Sequence, residues 1–269
     1  MTTHSTAVTR FAAPIAALAL AATLPACGEK EENPGSAQAQ AIDLALDFYV
    51  NPDHAGVYMG LEQGYFERAG LAVTPRVPSD PSAPIKEVAA GRADLAISYE
   101  PEVLLAREQG LDVVAVAALV DEPLTSLIHL PAAGIAKPAD LRGKTVATAG
   151  IPYQSDYLAT ILGEAGLAMS DVEEVSVGFN LLPALLGGQA DAILGGFRNV
   201  EGVDLAQRGE SPVVQPVDQL GVPTYDELVL VAKGSEIEDS AEELRLFISA
   251  LAKGTAAAVK DPAGATRVV

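Results

Sequence analysis

Glu87-Val88-Ala89-Ala90-Gly91-Arg92-Ala93-Asp94-Leu95-Ala96-Ile97 is echoed further along the chain by Ala184-Leu185-Leu186-Gly187-Gly188-Gln189-Ala190-Asp191-Ala192-Ile193-Leu194. Each copy reads as the end of a helix, a Gly stop, an Ala-Asp turn and a buried strand. A glycine just past a helix tolerates the left-handed conformation that ends it. The apolar run after each Asp suits a strand covered on both faces. Gly-x-Ala-Asp is also a common helix-to-strand connection, so one copy alone means little. Two copies in one chain predict two similar α/β lobes, with a cleft between them able to enclose a small molecule.

Outward from the repeats the pattern alternates. Strands are expected over 42–49, 72–77, 94–98, 113–119, 145–149, 175–178, 192–195 and 228–232. Helices are expected over 54–66, 83–90, 102–109, 153–165, 181–186, 200–208 and 241–260. The segment 124–130 is read as crossing into the second lobe, and strand 228–232 as returning to the first. Lobe one is then 41–125 plus 226–269, and lobe two is 126–225. Strands alternating with helices at this spacing imply an α/β fold with mostly parallel sheets flanked by helices. In such sheets ligands bind beyond the carboxyl ends of the strands. Asp261-Pro262-Ala263-Gly264-Ala265 reads as a turn into another helix, so the chain is expected to be truncated within lobe one.

The chain has 269 residues, 49% hydrophobic and 20% charged, with a net charge of −19. That surface repels phosphate backbones and anionic membranes, which argues against nucleic-acid partners. At the N-terminus Arg10 precedes an uncharged run from Phe11 to Ala26, the pattern of a secretory signal over 1–27. The run is too short to span a bilayer. Leu24-Pro25-Ala26-Cys27-Gly28 resembles a bacterial lipobox, with Pro25 a departure, which implies lipidation at Cys27 and an extracytoplasmic, membrane-anchored monomer. The stretch 28–40 is polar and aperiodic and reads as a flexible tether. No second cysteine exists for a disulfide or a thiolate metal site. No Gly-x-Ser-x-Gly elbow or His-Glu-x-x-His motif is present, and no catalytic residue, metal or cofactor is expected.

Four loops fall at strand ends. Asn51-Pro52-Asp53-His54-Ala55-Gly56-Val57-Tyr58 follows the first strand; Asn51 or Asp53 suits a helix cap whose free N–H groups face the cleft. Ser98-Tyr99-Glu100-Pro101 follows the third. Gly150-Ile151-Pro152-Tyr153-Gln154-Ser155 offers backbone donors beside an aromatic ring, and Gly195-Gly196-Phe197-Arg198-Asn199-Val200-Glu201 follows the second repeat. The candidate ligand residues are Asn51, Asp53, His54, Tyr58, Ser98, Tyr99, Glu100, Ile151, Pro152, Tyr153, Phe197, Asn199 and Glu201. Asp53 could equally be an N-cap only, His54 a packed side chain, Tyr99 and Tyr153 rim aromatics, and Glu201 a solvated first-turn acid matching the helix dipole.

These loops also carry a family resemblance. Asp47-Phe48-Tyr49-Val50-Asn51-Pro52-Asp53-His54 with Glu62-Gln63-Gly64-Tyr65-Phe66, then Ile97-Ser98-Tyr99-Glu100-Pro101, Val177-Gly178-Phe179-Asn180 and Gly195-Gly196-Phe197-Arg198-Asn199-Val200-Glu201, resemble the thiamine-pyrimidine-precursor binding proteins. The resemblance implies a two-lobe type II periplasmic-binding-protein fold and delivery of an aminopyrimidine to an ABC permease and its ATPase. Phe197, Tyr99 and Tyr153 would stack on the heterocycle, where flat rings give area with few torsions to freeze. Glu201 would accept from an exocyclic amine, and Asn51, Asp53 and His54 would complete the polar edge. Relatives often carry tryptophan in place of Arg198, and this chain has none; Arg198 is expected to favour an anionic or polar tail. Riboflavin, nitrate-like anions and alkylsulfonates remain alternative cargoes. A pyrimidine synthase resembles the same opening but would also require a cysteine-rich iron-binding stretch, and residues 28–269 hold no cysteine. An extracellular sensory lobe is a third reading.

Overall fold

The computed structural model describes residues 39–269, so the signal, Cys27 and most of the tether lie outside the described residues. Among the described residues there are ten strands: β1 (Gln40–Ala45), β2 (Leu71–Arg76), β3 (Leu95–Ser98), β4 (Val113–Val120), β5 (Thr125–His129), β6 (Thr145–Thr148), β7 (Glu173–Ser176), β8 (Ala192–Phe197), β9 (Val213–Pro216) and β10 (Leu228–Lys233). They form two five-stranded sheets, ordered β2-β1-β3-β10-β4 and β7-β6-β8-β5-β9. The helices are α1 (Ala55–Glu62), α2 (Tyr65–Arg68), α3 (Pro84–Ala89), α4 (Glu100–Glu108), α5 (Pro152–Glu164), α6 (Leu181–Leu186), α7 (Glu201–Gln207), α8 (Ala241–Lys260) and α9 (Pro262–Val268).

The repeated motif does the same structural job in both sheets. Gly91 and Gly188 take φ of +67° and +69°, so each reverses the chain after its helix. The Asp94 carboxylate accepts from the Asp43 N–H at 2.7 Å, while its own N–H donates to the Asp43 carbonyl at 3.1 Å. The Asp191 carboxylate accepts from the Thr145 N–H at 2.9 Å, and its N–H donates to the Thr145 carbonyl at 2.9 Å. Each Asp thus ties the start of β3 or β8 to the parallel neighbour, β1 or β6. Residues of β3 and the core of β8 are buried on both faces, which explains their unbroken apolar runs.

Each sheet is mostly parallel, as expected, with one reversed strand: four of its five strands run in the same direction. β1, β2 and β3 pair in parallel, as do β6, β7 and β8. β10 is antiparallel to β3 and β4, and β5 to β8 and β9. Both odd strands enter straight from the other sheet, through residues 121–124 and 217–227, without the returning helix that a parallel neighbour requires. The segment read as a crossing is therefore itself a fully buried strand, β5. β9 was not expected from sequence, whereas the helix expected after Asp261 is α9. The first strand stops at Ala45 rather than Tyr49, and the long helix after it is broken where Gly64 takes φ +64°.

A fully buried carboxylate ties the two crossings together. Glu227, just before β10, accepts from the N–H groups of Leu124 at 2.6 Å and Thr125 at 2.7 Å. It also accepts from the hydroxyls of Thr125 and Tyr225, both at 2.9 Å. Burial pushes its carboxyl up to about 7.

α8 buries Leu244, Phe247, Ala250, Leu251 and Gly254, a stripe at helical spacing that lies on α1. There is no room for a side chain at the crossing: a Cβ on Gly254 would collide with the Gly56 carbonyl and the Gly60 backbone. The Gly254→Val variant should therefore lose about 2 kcal/mol or more of stability by overpacking. Denaturant unfolding checks this, and an unchanged midpoint would show that α1 and α8 can part freely.

Candidate ligand-binding site

β1, β3, β6 and β8 all point their carboxyl ends at the seam between the sheets, and the loops that follow them wall a narrow cavity of about 10 Å³. Asp47, Phe48, Asn51 and Tyr99 line it from the first sheet. Ala149, Ile151, Gln154, Gly195, Phe197, Val200 and Glu201 line it from the second. None of these is Lys, Arg or His, while two are acids.

Glu201 opens α7 and is 4% exposed. One of its oxygens accepts from the Phe197 N–H at 2.7 Å, and the other from the Tyr49 hydroxyl at 2.7 Å, across the seam. Burial raises its carboxyl, and these two donors oppose that rise. The Tyr49 hydroxyl is raised in turn by burial and by the Glu201 charge.

Facing it, Asp47 is 1% exposed. It accepts from the His54 ring Nε2 at 2.7 Å and from the Tyr99 hydroxyl at 2.9 Å. His54 Nδ1 accepts from the Asn51 N–H at 3.1 Å, which assigns the ring hydrogen to Nε2 and leaves the imidazole neutral. Asn51 caps the turn Pro52–His54 by accepting from the Asp53 N–H at 2.9 Å. Its amide group donates to the Tyr49 carbonyl at 3.1 Å.

Aromatic rings meet across the same seam. Tyr99 lies 5.4 Å from Tyr153 and 6.4 Å from Phe197, the latter edge-on, and Phe48 meets Phe179 edge-on at 4.9 Å. A further cross-seam bond runs from the Asn199 amide to Asp53 at 2.7 Å. Burial raises the Asp53 carboxyl, and this donor opposes the rise.

Of the residues expected at the site, Asn51, Tyr99, Ile151, Phe197 and Glu201 line the pocket. Asp53 and Asn199 pair beside it, and Tyr153 is buried behind Tyr99. The others are placed elsewhere. His54 is completely buried and reaches the pocket only through Asp47, because the 52–54 turn folds its ring inward. Tyr58 packs at the edge of the core, and Pro152 is exposed on the outer side of the first turn of α5. Ser98 donates to buried Glu102 at 2.6 Å rather than facing the pocket. Glu100 braces the second crossing, accepting from the Asp226 N–H at 2.7 Å. Arg198, expected to favour an anionic tail, turns away to the Pro123 carbonyl and to Glu122, the latter at 3.0 Å.

Sequence reasoning missed Asp47 and Gln154 as lining residues. Asp47 was hidden inside an overextended strand; its signal is a charge within the otherwise uncharged run 44–52. Gln154 turns its carbonyl to the Ala149 N–H at 2.9 Å, closing the loop that shapes this wall. Among the described residues no group of His, Cys, Asp and Glu could hold a metal ion, and no helix is long and apolar enough to cross a membrane.

Comparison with known proteins agrees with this geometry. The aliphatic sulphonate binding protein SsuA from Escherichia coli matches with a TM-score of 0.67 at 15% identity, covering 85% of this chain and 77% of that one. The nitrate-binding protein NrtA from Synechocystis matches at 0.66 and 11%, covering 86% and 66%. At these identities the likeness shows the fold alone, that of periplasmic binding proteins. In sequence, a Haemophilus influenzae protein named for thiamine biosynthesis is 39% identical over 216 residues, 80% of this chain and 68% of its own length. A formylaminopyrimidine-binding protein from Halalkalibacterium halodurans is 38% identical over 231 residues, covering 86% and 70%. More distantly, a 4-amino-5-hydroxymethyl-2-methylpyrimidine phosphate synthase from Aspergillus parasiticus is 26% identical over 236 residues, covering 83% and 68%. The family model described as NMT1/THI5 like matches residues 51–265, and the chain belongs to that family.

Proposed function

We propose that this chain is an extracytoplasmic solute-binding protein that captures a thiamine-related aminopyrimidine and passes it to an ABC importer. In this reading two lobes, 41–125 with 226–269 and 126–225, close over the ligand, and Cys27 carries a lipid anchor. Because contacts come from both sides of the seam, the ligand favours the closed form and shifts the population toward it. Tyr49–Glu201 and Asp53–Asn199 are the polar contacts that closure makes.

The observation that carries the reading is the chemistry of the pocket wall: flat rings, two buried carboxylates and no cation. A nitrate or sulfonate would be brought against acids with no compensating charge, at a large desolvation cost. A flat heterocycle bearing N–H donors matches the same wall, with its face on Phe197 and Tyr99 and its exocyclic amine on Glu201. The relative named for binding formylaminopyrimidine supports that cargo class. The similarity to synthases is lower, and nothing in the wall calls for a reacting group.

Calorimetric titration tests this. A formylaminopyrimidine or its hydroxymethyl counterpart should bind, and nitrate and an alkylsulfonate should not. Binding of an anion in preference to every aminopyrimidine would refute the reading.

A further inference from the structure

We propose that Asp47, oriented by His54, is a second hydrogen-bond acceptor for the ligand, so that the site selects a heterocycle with N–H donors on two separate edges. This rests on the aminopyrimidine reading and specifies it. Asp47 and Glu201 line one pocket from opposite sheets and are 1% and 4% exposed. A carboxylate removed from water needs several donors to offset its desolvation. Asp47 has two, one on each oxygen: the His54 ring at 2.7 Å and the Tyr99 hydroxyl at 2.9 Å.

Neither donor neutralises it. His54 accepts the Asn51 N–H on Nδ1, so the ring meets Asp47 as a neutral imidazole donating from Nε2. An ionised carboxylate offers about four lone-pair positions, two of which these donors occupy. In this proposal the remaining positions belong to the ligand, since Asp47 lines the pocket. His54 itself is completely buried, so its part is to position: it fixes the rotation of Asp47 while Asn51 fixes the ring. A ligand with one donor edge would satisfy Glu201 and leave Asp47 short. A ligand with a 4-amino group and a second amine or amide N–H on its 5-substituent would satisfy both.

Calorimetry on the full chain with three probes tests this: 4-amino-2-methylpyrimidine carrying 5-aminomethyl, the same ring carrying 5-methyl, and the 5-aminomethyl compound lacking the 4-amino group. The wild type should prefer the 5-aminomethyl to the 5-methyl compound by about 10- to 100-fold, the range of a bond to a charged acceptor. Asp47→Asn should lose that preference and keep the preference for the 4-amino group, and Glu201→Gln should do the reverse. His54→Asn should weaken only the 5-aminomethyl preference, which a general loss of stability would not do. Equal binding of the 5-aminomethyl and 5-methyl compounds by the wild type overturns the proposal while the aminopyrimidine reading stands, and this needs no variant to fold. Failure of all three probes to bind overturns both.

Discussion

Glu201→Gln is expected to lower affinity for an aminopyrimidine by about 30- to 150-fold, equivalent to 2–3 kcal/mol, while leaving the unliganded protein folded. The substitution keeps the shape and one acceptor oxygen, which still serves the Phe197 N–H that Glu201 now accepts at 2.7 Å. The new amide group can donate to the Tyr49 oxygen, so the cross-seam contact is reversed in sense rather than lost. What disappears is the negative charge that strengthens a bond from the ligand's amine in a site closed to water. Calorimetry measures the affinity and a thermal melt checks the fold. Unchanged affinity would mean that Glu201 serves only to anchor the β8–α7 turn.

The second large effect concerns pH. Burial raises the carboxyl of Glu227 to about 7 from its ordinary 4.5, and it likewise raises that of Glu102 to about 7. A folded-state value above the unfolded one means that the native protein holds more protons between the two. The contribution of each group is therefore fully present below 4.5 and is lost as pH rises through about 7. For Glu227 the difference amounts to as much as about 3 kcal/mol between pH 5 and pH 8. Glu227→Gln should flatten that part of the profile. Its one acceptor oxygen can still serve the Leu124 and Thr125 N–H groups, and its amide can donate to the Thr125 hydroxyl oxygen. Urea unfolding at both pH values, on wild type and variant, checks it. A wild type as stable at pH 8 as at pH 5, or a variant with the same slope, would show that Glu227 is ionised without penalty. The location matters because this carboxylate joins both crossings, where the proposed closing motion would be absorbed.

The elements with a strong local signal were legible in the sequence. α8 occupies the span its 3.6-residue stripe indicates, from Ala241 to Lys260, and both Gly-x-Ala-Asp units make the same strand-tying bonds. The one reversed strand in each sheet was not legible, because β5 and β10 carry the same apolar runs as the strands beside them; only the connection sets their polarity. β9 escaped notice as a four-residue strand between prolines, with little periodicity to read. Phe197, Tyr99 and Glu201 line the pocket because they lie at a strand's end or in the turn just after it. Ser98, Glu100 and Arg198 lie in the same loops but point away, toward Glu102, Asp226 and Glu122. Loop membership can be read from a pattern. Side-chain direction depends on backbone turns of single residues and on partners distant in sequence.

A crystal structure of the protein with 4-amino-5-hydroxymethyl-2-methylpyrimidine tests capture across the seam most directly. The expected result is the ring lying against Phe197 and Tyr99, its amine within hydrogen-bond distance of a Glu201 oxygen and contacts from both sheets. A ligand held by one sheet alone, or bound away from Glu201, would contradict it.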